Sequence, residues 1–311
     1  MQKTLGRNKN HIRKSSSDRV FDALNITFMA LFALIMVYPL YFTVIASVSD
    51  PYSVVNGEVY LVPKGFTLEA YQNVFKEERI WTGYGNTIRY TVLGTLFNLF
   101  LTIPAAYTLS KKKLLGRGVL GIYFLIPMYF GGGLVPTYLQ VKALGLMNTS
   151  YTLILLGGIS IYNLIVTRVF FQSSIPDALY ESARIDGANE LRTFFQIALP
   201  LAKPIIAVMA LYYAVGHWNS YFNALIYISK DSYQPLQIVL RNILLNNQMS
   251  MAILGTEITD ADAIQDAARR QYLAQGMKYA LIFISSAPLL VAYPFVQKHF
   301  VKGVMIGSIK G

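Results

Sequence analysis

Few side chains in this chain of 311 residues have the types and spacing that catalysis or metal binding requires. Cysteine is absent, which excludes a thiolate metal site, a cysteine nucleophile and a disulfide framework. The sequence also lacks the G-x-x-x-x-G-K-[ST] loop that holds nucleotide phosphates, the H-E-x-x-H zinc motif and a serine nucleophile elbow. We therefore predict that the chain is not an enzyme and that it holds no catalytic residue, metal or cofactor.

A different chemistry, sugar binding, is offered by aromatic and amide side chains near residue 220. Sugar rings stack on aromatic faces, and their hydroxyl groups hydrogen-bond to polar side chains. The favoured alternative is that these side chains only pack between helices. The candidates for a substrate path are Tyr213, Trp218, Asn219, Tyr221 and Asn223.

Two further features have structural explanations that we favour over functional ones. His217 is the single histidine in the middle of an uncharged run and could relay protons, but a packed histidine bonded to a neighbouring helix is the favoured explanation. The three glycines 131–133 could cradle a phosphate, but they lie inside a hydrophobic run. Close helix packing or a broken helix is the favoured interpretation there.

The segment 174–200 has the pattern of two short helices joined at a glycine. Pro176 suits a first turn, with Ser174 as a possible cap before it. Leu179, Ala183 and Gly187 share one face at a spacing of four, and Gly187 allows a turn because glycine tolerates positive φ. A second helix is predicted from about Asn189 to Ile197, ended by Pro200. Small residues facing outward suit insertion into a groove of another protein, although a connector lying on lipid headgroups fits the pattern equally well.

The elements that position these residues are membrane spans. Hydrophobic residues make up 54% of the chain and charged residues only 14%, against about 25% in an ordinary soluble domain. A membrane helix needs roughly 20 apolar residues in a row. Six uncharged runs are long enough or nearly so: 23–49, 90–110, 118–141, 143–167, 204–229 and 279–297.

The distribution of charge predicts the orientation of these spans. If the N-terminus is cytoplasmic, 17 of the 27 Lys and Arg residues and six of the 16 acidic residues lie inside. The net charge of +11 therefore falls on one face, so the positive-inside rule explains it and nucleic acid is not needed as a partner. The predicted layout is a basic cytoplasmic tail (1–22), a six-helix transmembrane domain (23–297) with outer loops 50–85 and 230–277, and a cytoplasmic tail (298–311).

One cytoplasmic segment resembles the EAA loop of binding-protein-dependent ABC transporter permeases. The resemblance rests on Glu181-Ser182-Ala183, three residues, Gly187, nine residues and Ile197-Ala198-Leu199-Pro200. Only Ser182 departs from the family pattern, which has alanine there. The stretches 218–223, 235–237 and 297–311 are similar to maltose-type (MalG-like) sugar permeases, and 132–138 is similar to a subgroup linked to the import of complex oligosaccharides.

This resemblance implies an all-α integral membrane protein of the ABC type I importer permease fold, with both termini cytoplasmic. It implies a permease subunit in the bacterial cytoplasmic membrane that translocates a sugar or oligosaccharide delivered by an extracellular solute-binding protein. The implied partners are a second permease subunit and two copies of an ABC ATPase, which bind the ATP and Mg²⁺. The implied contacts with the ATPase lie in the loop 172–200, at Glu181, Ala183, Gly187, Ile197, Leu199 and Pro200.

Three alternatives remain open from the sequence. One is a secondary transporter or channel, which the missing membrane carboxylates and the docking segment disfavour. Another is an ABC importer for a solute other than sugar, which the C-terminal stretch and the long outer loop disfavour. The third is a purely structural membrane scaffold, which the docking segment makes unnecessary.

Overall fold

The computed structural model describes residues 15–257, 272–274, 276–291 and 294. All regular secondary structure in these residues is helical, as predicted. Four predicted segments lie wholly or partly outside the described residues: 1–14 of the basic tail, 258–271 and 275 of the second outer loop, 292–293 and 295–297 of the sixth run, and the tail 298–311. The helices are α1 (Ser16–Ser47), α2 (Pro51–Val55), α3 (Glu69–Lys76), α4 (Glu78–Ser110), α5 (Arg117–Tyr129), α6 (Leu134–Ala143), α7 (Thr152–Leu155), α8 (Ile161–Ser174), α9 (Asp177–Ile185), α10 (Glu190–Thr193), α11 (Leu199–Leu201), α12 (Lys203–Trp218), α13 (Tyr221–Tyr227), α14 (Leu236–Glu257) and α15 (Tyr272–Val291).

Three of these helices, α1, α4 and α15, are each long and apolar enough to cross a membrane. Two bent pairs satisfy the same requirement if each counts as one span: α5 with α6, bent by 112°, and Glu190–Leu201 with α12, bent by 77°. The predicted fourth run, 143–167, is not one continuous helix, because a turn separates α7 from α8. The described helices therefore support up to five spans, and the count of six stays a prediction.

The triple glycine explains the sharpest bend. Helix α5 ends at Tyr129, and α6 starts only after Gly133, whose φ of +84° lies in the region that glycine alone adopts without strain. This is the broken helix that was one of the two favoured interpretations of this motif.

Helix α4 is the centre of the fold and packs against α12, α8 and α14. Near its middle, His217 of α12 donates from Nε2 to Asn98 Oδ1 at 2.6 Å, and Asn98 Nδ2 donates to the carbonyls of Gly157 and Gly158. The His217 ring lies directly over Gly94, which leaves it room. His217 thus makes the interhelical bond that the structural interpretation predicted.

The two ends of α4 lie in separate apolar clusters. At its C-terminal end, Tyr107 packs with Phe171 of α8 and Phe194. At its N-terminal end, Ile80 packs with residues of α14 and α15. Helix α1 stands apart, since only Ile45, Ala46 and Ser47 at its end are buried.

Candidate functional site

The predicted turn at Gly187 is confirmed and takes the form of a Schellman motif. Gly187 has φ +75°, and its N–H donates to the carbonyl of Arg184 at 3.1 Å. The N–H of Ala188 donates to the carbonyl of Ala183 at 2.9 Å, which completes the pair of bonds that closes helix α9. Ser174 is the last residue of α8 and does not cap α9, and Pro176 immediately precedes the helix.

The face that α9 presents to solvent differs from the predicted one. Glu181, Ser182 and Gly187 are exposed, but Ala183 is only 4% exposed and is therefore packed inside this chain. The expectation that the small residues all face outward is wrong for Ala183. Leu179, at 39% exposure, lies at the border between the two faces.

The second helix starts as predicted and ends later than predicted. Asn189 caps it, because its side chain accepts a hydrogen bond from the backbone N–H of Arg192 at 2.8 Å. Pro200 does not end the helix, which continues to Leu201. A π-helical turn at Phe194–Ala198 precedes the proline, and this wider turn accommodates a residue that has no N–H and would clash with the carbonyl four residues earlier. Of the predicted contact residues in this part, Ile197 and Leu199 are half-buried and Pro200 is exposed.

Salt bridges and aromatic contacts attach the helical elbow, which is α9, the turn at Gly187 and α10, to the end of α4. Lys111 Nζ lies 3.5 Å from the centre of the Tyr180 ring and 4.4 Å from that of Tyr107, and 3.6 Å from Glu190 Oε2. Lys112 Nζ donates to Asp177 Oδ2 at 2.7 Å. Both halves of the elbow are therefore tied to the loop that follows α4.

A salt bridge also joins the two helices of the elbow, since Arg184 of α9 pairs with Glu190 Oε1 of α10 at 3.4 Å. A cavity of about 410 Å³ lies between the end of α4, the loop after it and α9. The sequence prediction missed this attachment because it joins segments some 70 residues apart. The available signal was opposite charge, a run of three lysines at 111–113 facing the acidic residues of the elbow.

The pKa values of these groups follow from their surroundings. Burial lowers the pKa of Lys111, and the carboxylate of Glu190 partly opposes this shift. Burial, assisted by the negative charges of Asp177 and Glu190, raises the pKa of Tyr180 to about 12. The hydrogen bond and charge of Lys112 lower the pKa of Asp177.

The five residues of the predicted substrate path divide into two groups. Tyr213 and Trp218 are buried and used in packing: the Tyr213 hydroxyl lies 2.7 Å from Thr102 Oγ1, and Trp218 Nε1 donates to the carbonyl of Ser285 at 3.1 Å. Asn219, Tyr221 and Asn223 are exposed at the break between α12 and α13. Tyr213 and Trp218 are thus used in packing, and the other three side chains are exposed and available to contact a ligand.

Comparison with known proteins gives concordant matches over nearly the whole chain. Residues 80–306 match the model of the family described as binding-protein-dependent transport system inner membrane component. Protein LplC of Bacillus subtilis is 41% identical over 300 residues, covering 96% of this chain and 98% of its own. The polygalacturonan/rhamnogalacturonan transport system permease protein YtcP of the same organism is 39% identical, covering 94% and 99%.

A solved structure also matches the fold. One chain in the crystal structure of a bacterial ABC transporter involved in the import of the acidic polysaccharide alginate superposes with a TM-score of 0.81 and 32% identity. The match covers 92% of this chain and 99% of that one.

Proposed function

This chain belongs to the binding-protein-dependent transport system inner membrane component family, and from that premise we propose that it is the sugar-translocating permease subunit of an ATP-driven importer in a bacterial cytoplasmic membrane. It works beside a second permease subunit and above two copies of an ABC ATPase. An extracellular solute-binding protein delivers an oligosaccharide. ATP and Mg²⁺ bind to the ATPase.

The observation that carries this proposal is the exposed elbow held at one end of the central helix. Glu181, Ser182 and Gly187 point away from the chain, while Lys111 and Lys112 hold the elbow against the end of α4. An exposed element of fixed shape suits a groove in a partner, and its attachment to α4 gives the partner's movement a route into the membrane domain.

The elbow then acts as the coupling point of a two-state assembly. Closure of the ATPase subunits moves the elbow, and the central helix with its neighbours α8 and α12 moves with it between inward-facing and outward-facing arrangements. Glu181 contributes a charge that anchors the elbow, and Gly187 provides its turn. Ala183, which is buried, acts by holding α9 against its own chain.

Among sugars, we assign the chain to oligosaccharides that contain uronic acids. The relative that is 39% identical is named for polygalacturonan and rhamnogalacturonan, and the structural neighbour imports alginate. Both names refer to acidic polysaccharides. The side chains available for contact with such a sugar in this subunit are Asn219, Tyr221 and Asn223, next to the break after α12.

Uptake in cells tests the proposal. A strain lacking the gene is complemented with the wild-type chain or with the Gly187→Val variant, and uptake of labelled oligogalacturonides, alginate oligosaccharides and neutral maltooligosaccharides is measured. We expect either the oligogalacturonides or the alginate oligosaccharides to be taken up by cells that carry the wild-type chain and not by cells that carry Gly187→Val. Uptake of neutral oligosaccharides alone would refute the acidic assignment, and uptake that persists after ATP depletion would favour a secondary transporter.

A further inference from the structure

A groove between α5 and α8 is lined by two arginines and, among the described residues, by no acidic side chain. Arg117 starts α5, and Arg168 lies on α8 facing it, with Gly118, Gly121, Ile122 and Leu125 forming the rest of the lining. Neither arginine forms an ion pair with any carboxylate in the part of the chain that the structure describes. Two guanidinium groups in one groove repel each other, so the site is electrostatically incomplete.

The hydrogen bonding of the two arginines also indicates that the groove lacks an anionic partner. Arg117 Nε donates to the carbonyl of Leu109 at 3.2 Å, which fixes its guanidinium beside the end of α4. Arg168 Nε is buried and has no hydrogen-bond partner among the described residues. A buried donor without a partner is costly, and an anion in the groove would satisfy it.

The rest of the groove fits the apolar part of an amphiphile. Ile122 is 61% exposed and Leu125 38% exposed, so an apolar strip runs along α5 from the arginine end. A Cβ on Gly121 would lie 3.8 Å from Arg168 Nη1, so the absence of a side chain there keeps the guanidinium accessible from the groove. Positive charge at one end of an exposed apolar strip complements a phosphate headgroup followed by an acyl chain.

The predicted orientation places this groove at the cytoplasmic leaflet, since α5 follows the basic loop 111–117. Anionic phospholipids give that leaflet its negative surface potential, and basic pockets between membrane helices bind their headgroups there. We propose that Arg117 and Arg168 bind the phosphate of an anionic phospholipid, whose acyl chain lies along Ile122 and Leu125. This inference is independent of the identity of the transported sugar.

The test uses the assembled importer, purified with the full chain in neutral detergent. Bound phosphatidylglycerol and phosphatidylcholine are counted by native mass spectrometry, with and without millimolar inorganic phosphate. We expect the wild type to retain phosphatidylglycerol preferentially. The double variant Arg117→Gln/Arg168→Gln should weaken that binding by roughly fivefold per arginine, the factor that corresponds to about 1 kcal/mol for each basic side chain at an anionic membrane surface.

Two further variants separate the groove from general surface charge. Gly121→Leu keeps both arginines but fills the groove, so it should also lose phosphatidylglycerol. Arg19→Gln removes a positive charge from the exposed start of α1, outside the groove, and should retain it. If the double arginine variant does not assemble, Gly121→Leu alone decides the question.

Four results would overturn the proposal. The first two are equal binding of the two lipids by the wild type and unchanged phosphatidylglycerol binding in Gly121→Leu. The third is a loss of phosphatidylglycerol in Arg19→Gln as large as in the double arginine variant. The fourth is complete displacement of phosphatidylglycerol by inorganic phosphate, which would make the groove a site for free anions. Loss of the second permease subunit from Arg168→Gln with lipid binding intact would instead assign the groove to a carboxylate of that subunit.

Discussion

At Gly187 the backbone conformation, and not a lack of space, requires glycine. A Cβ there would meet no atom of the described residues within 4 Å, whereas φ +75° disfavours residues that have a Cβ. We predict that Gly187→Val, which is β-branched, costs more than about 1 kcal/mol in the elbow and lowers both ATPase co-purification and oligosaccharide uptake. Gly187→Asn is the matched control, because asparagine tolerates the left-handed region, and it should retain most of both. Equal loss in the two variants would mean that the side chain obstructs docking and that the turn is not the cause.

Lys111 is predicted to hold the elbow more strongly than Lys112, although both make salt bridges. The Lys111 side chain is 20% exposed and packs on the ring of Tyr180, whereas that of Lys112 is 73% exposed. Exposed pairs contribute little, but a partly desolvated cation over an aromatic ring contributes about 1 kcal/mol or more. Lys111→Met should therefore increase hydrogen exchange of residues 176–200 in nanodiscs, and Lys112→Met should change it little. Equal exchange in the two variants would contradict this ranking.

The low pKa of Lys111 also gives its contacts a pH dependence. Burial favours the neutral amine, so Lys111 loses its proton at a lower pH than exposed lysines do as the pH rises. Opening of the elbow exposes Lys111 and returns its pKa to the ordinary value, so opening takes up a proton and becomes less favourable as the pH rises. We expect hydrogen exchange in the elbow, corrected for its intrinsic pH dependence, to fall with rising pH in the wild type. Exchange in Lys111→Met should lack that fall, and the same fall in this variant would refute the assignment to Lys111.

At the scale of elements, the contact between α4 and α12 depends on the missing side chain of Gly94. A methyl group there would overlap the His217 ring, which is held by Asn98. We predict that Gly94→Ala destabilises the chain by about 1–3 kcal/mol, as overpacking of a filled interface does. Gly85→Ala on the same helix places its new methyl more than 4 Å from the other described residues and should be neutral or slightly stabilising. Thermal unfolding in detergent, with Gly94→Ala/His217→Ala as a rescue variant, measures the difference, and equal melting of Gly94→Ala and Gly85→Ala would contradict it.

Local features of these elements could be predicted from the sequence, and features that depend on distant contacts could not. The turn at Gly187 and the helix start at Asn189 follow from residue preferences, and both are present. The sequence predicts that Pro200 ends the helix, because no sequence rule anticipates the π-helical turn that accommodates this proline. The burial of Ala183 depends on how α9 packs against the chain, which the spacing of small residues does not determine.

The candidate site shows the same division. Glu181 and Gly187 were found from a pattern of residues close in sequence, and both are exposed on the elbow. Tyr213 and Trp218 are aromatic groups suited to sugar by their type, but they hydrogen-bond to Thr102 and Ser285, more than 60 residues away in the chain. Residue type indicates what a side chain can bind, and only the tertiary structure shows whether it is already in use.

At the scale of the whole molecule, α4 is longer than the membrane is thick. Its 33 residues extend about 50 Å, against about 30 Å for the hydrocarbon core. Because Glu78 and Arg79 are charged, we expect the first turns of α4 to stand outside the bilayer. Asn86 Nδ2 donates to the carbonyl of Ser232 at 2.9 Å, which places Ser232 near that outer end.

This length leads to a topology prediction. The chain has no cysteine, so a single introduced cysteine reports its own position. Cysteine at Ser232 should react with an impermeant thiol reagent in intact cells, and cysteine at Ser15 should react only after the membrane is opened. The reverse pattern of labelling would invert the predicted orientation, and with it the cytoplasmic position of the elbow.

The near isolation of α1 has a consequence for how the protein is made. Translation delivers α1 to the membrane before α4, and most of its side chains before Phe42 are exposed. A segment of 32 mostly apolar residues is stable in lipid by itself, because all of its backbone hydrogen bonds are internal. The nascent chain is therefore anchored before α4 leaves the ribosome. The later helices assemble against one another within the bilayer and do not need α1 as a template.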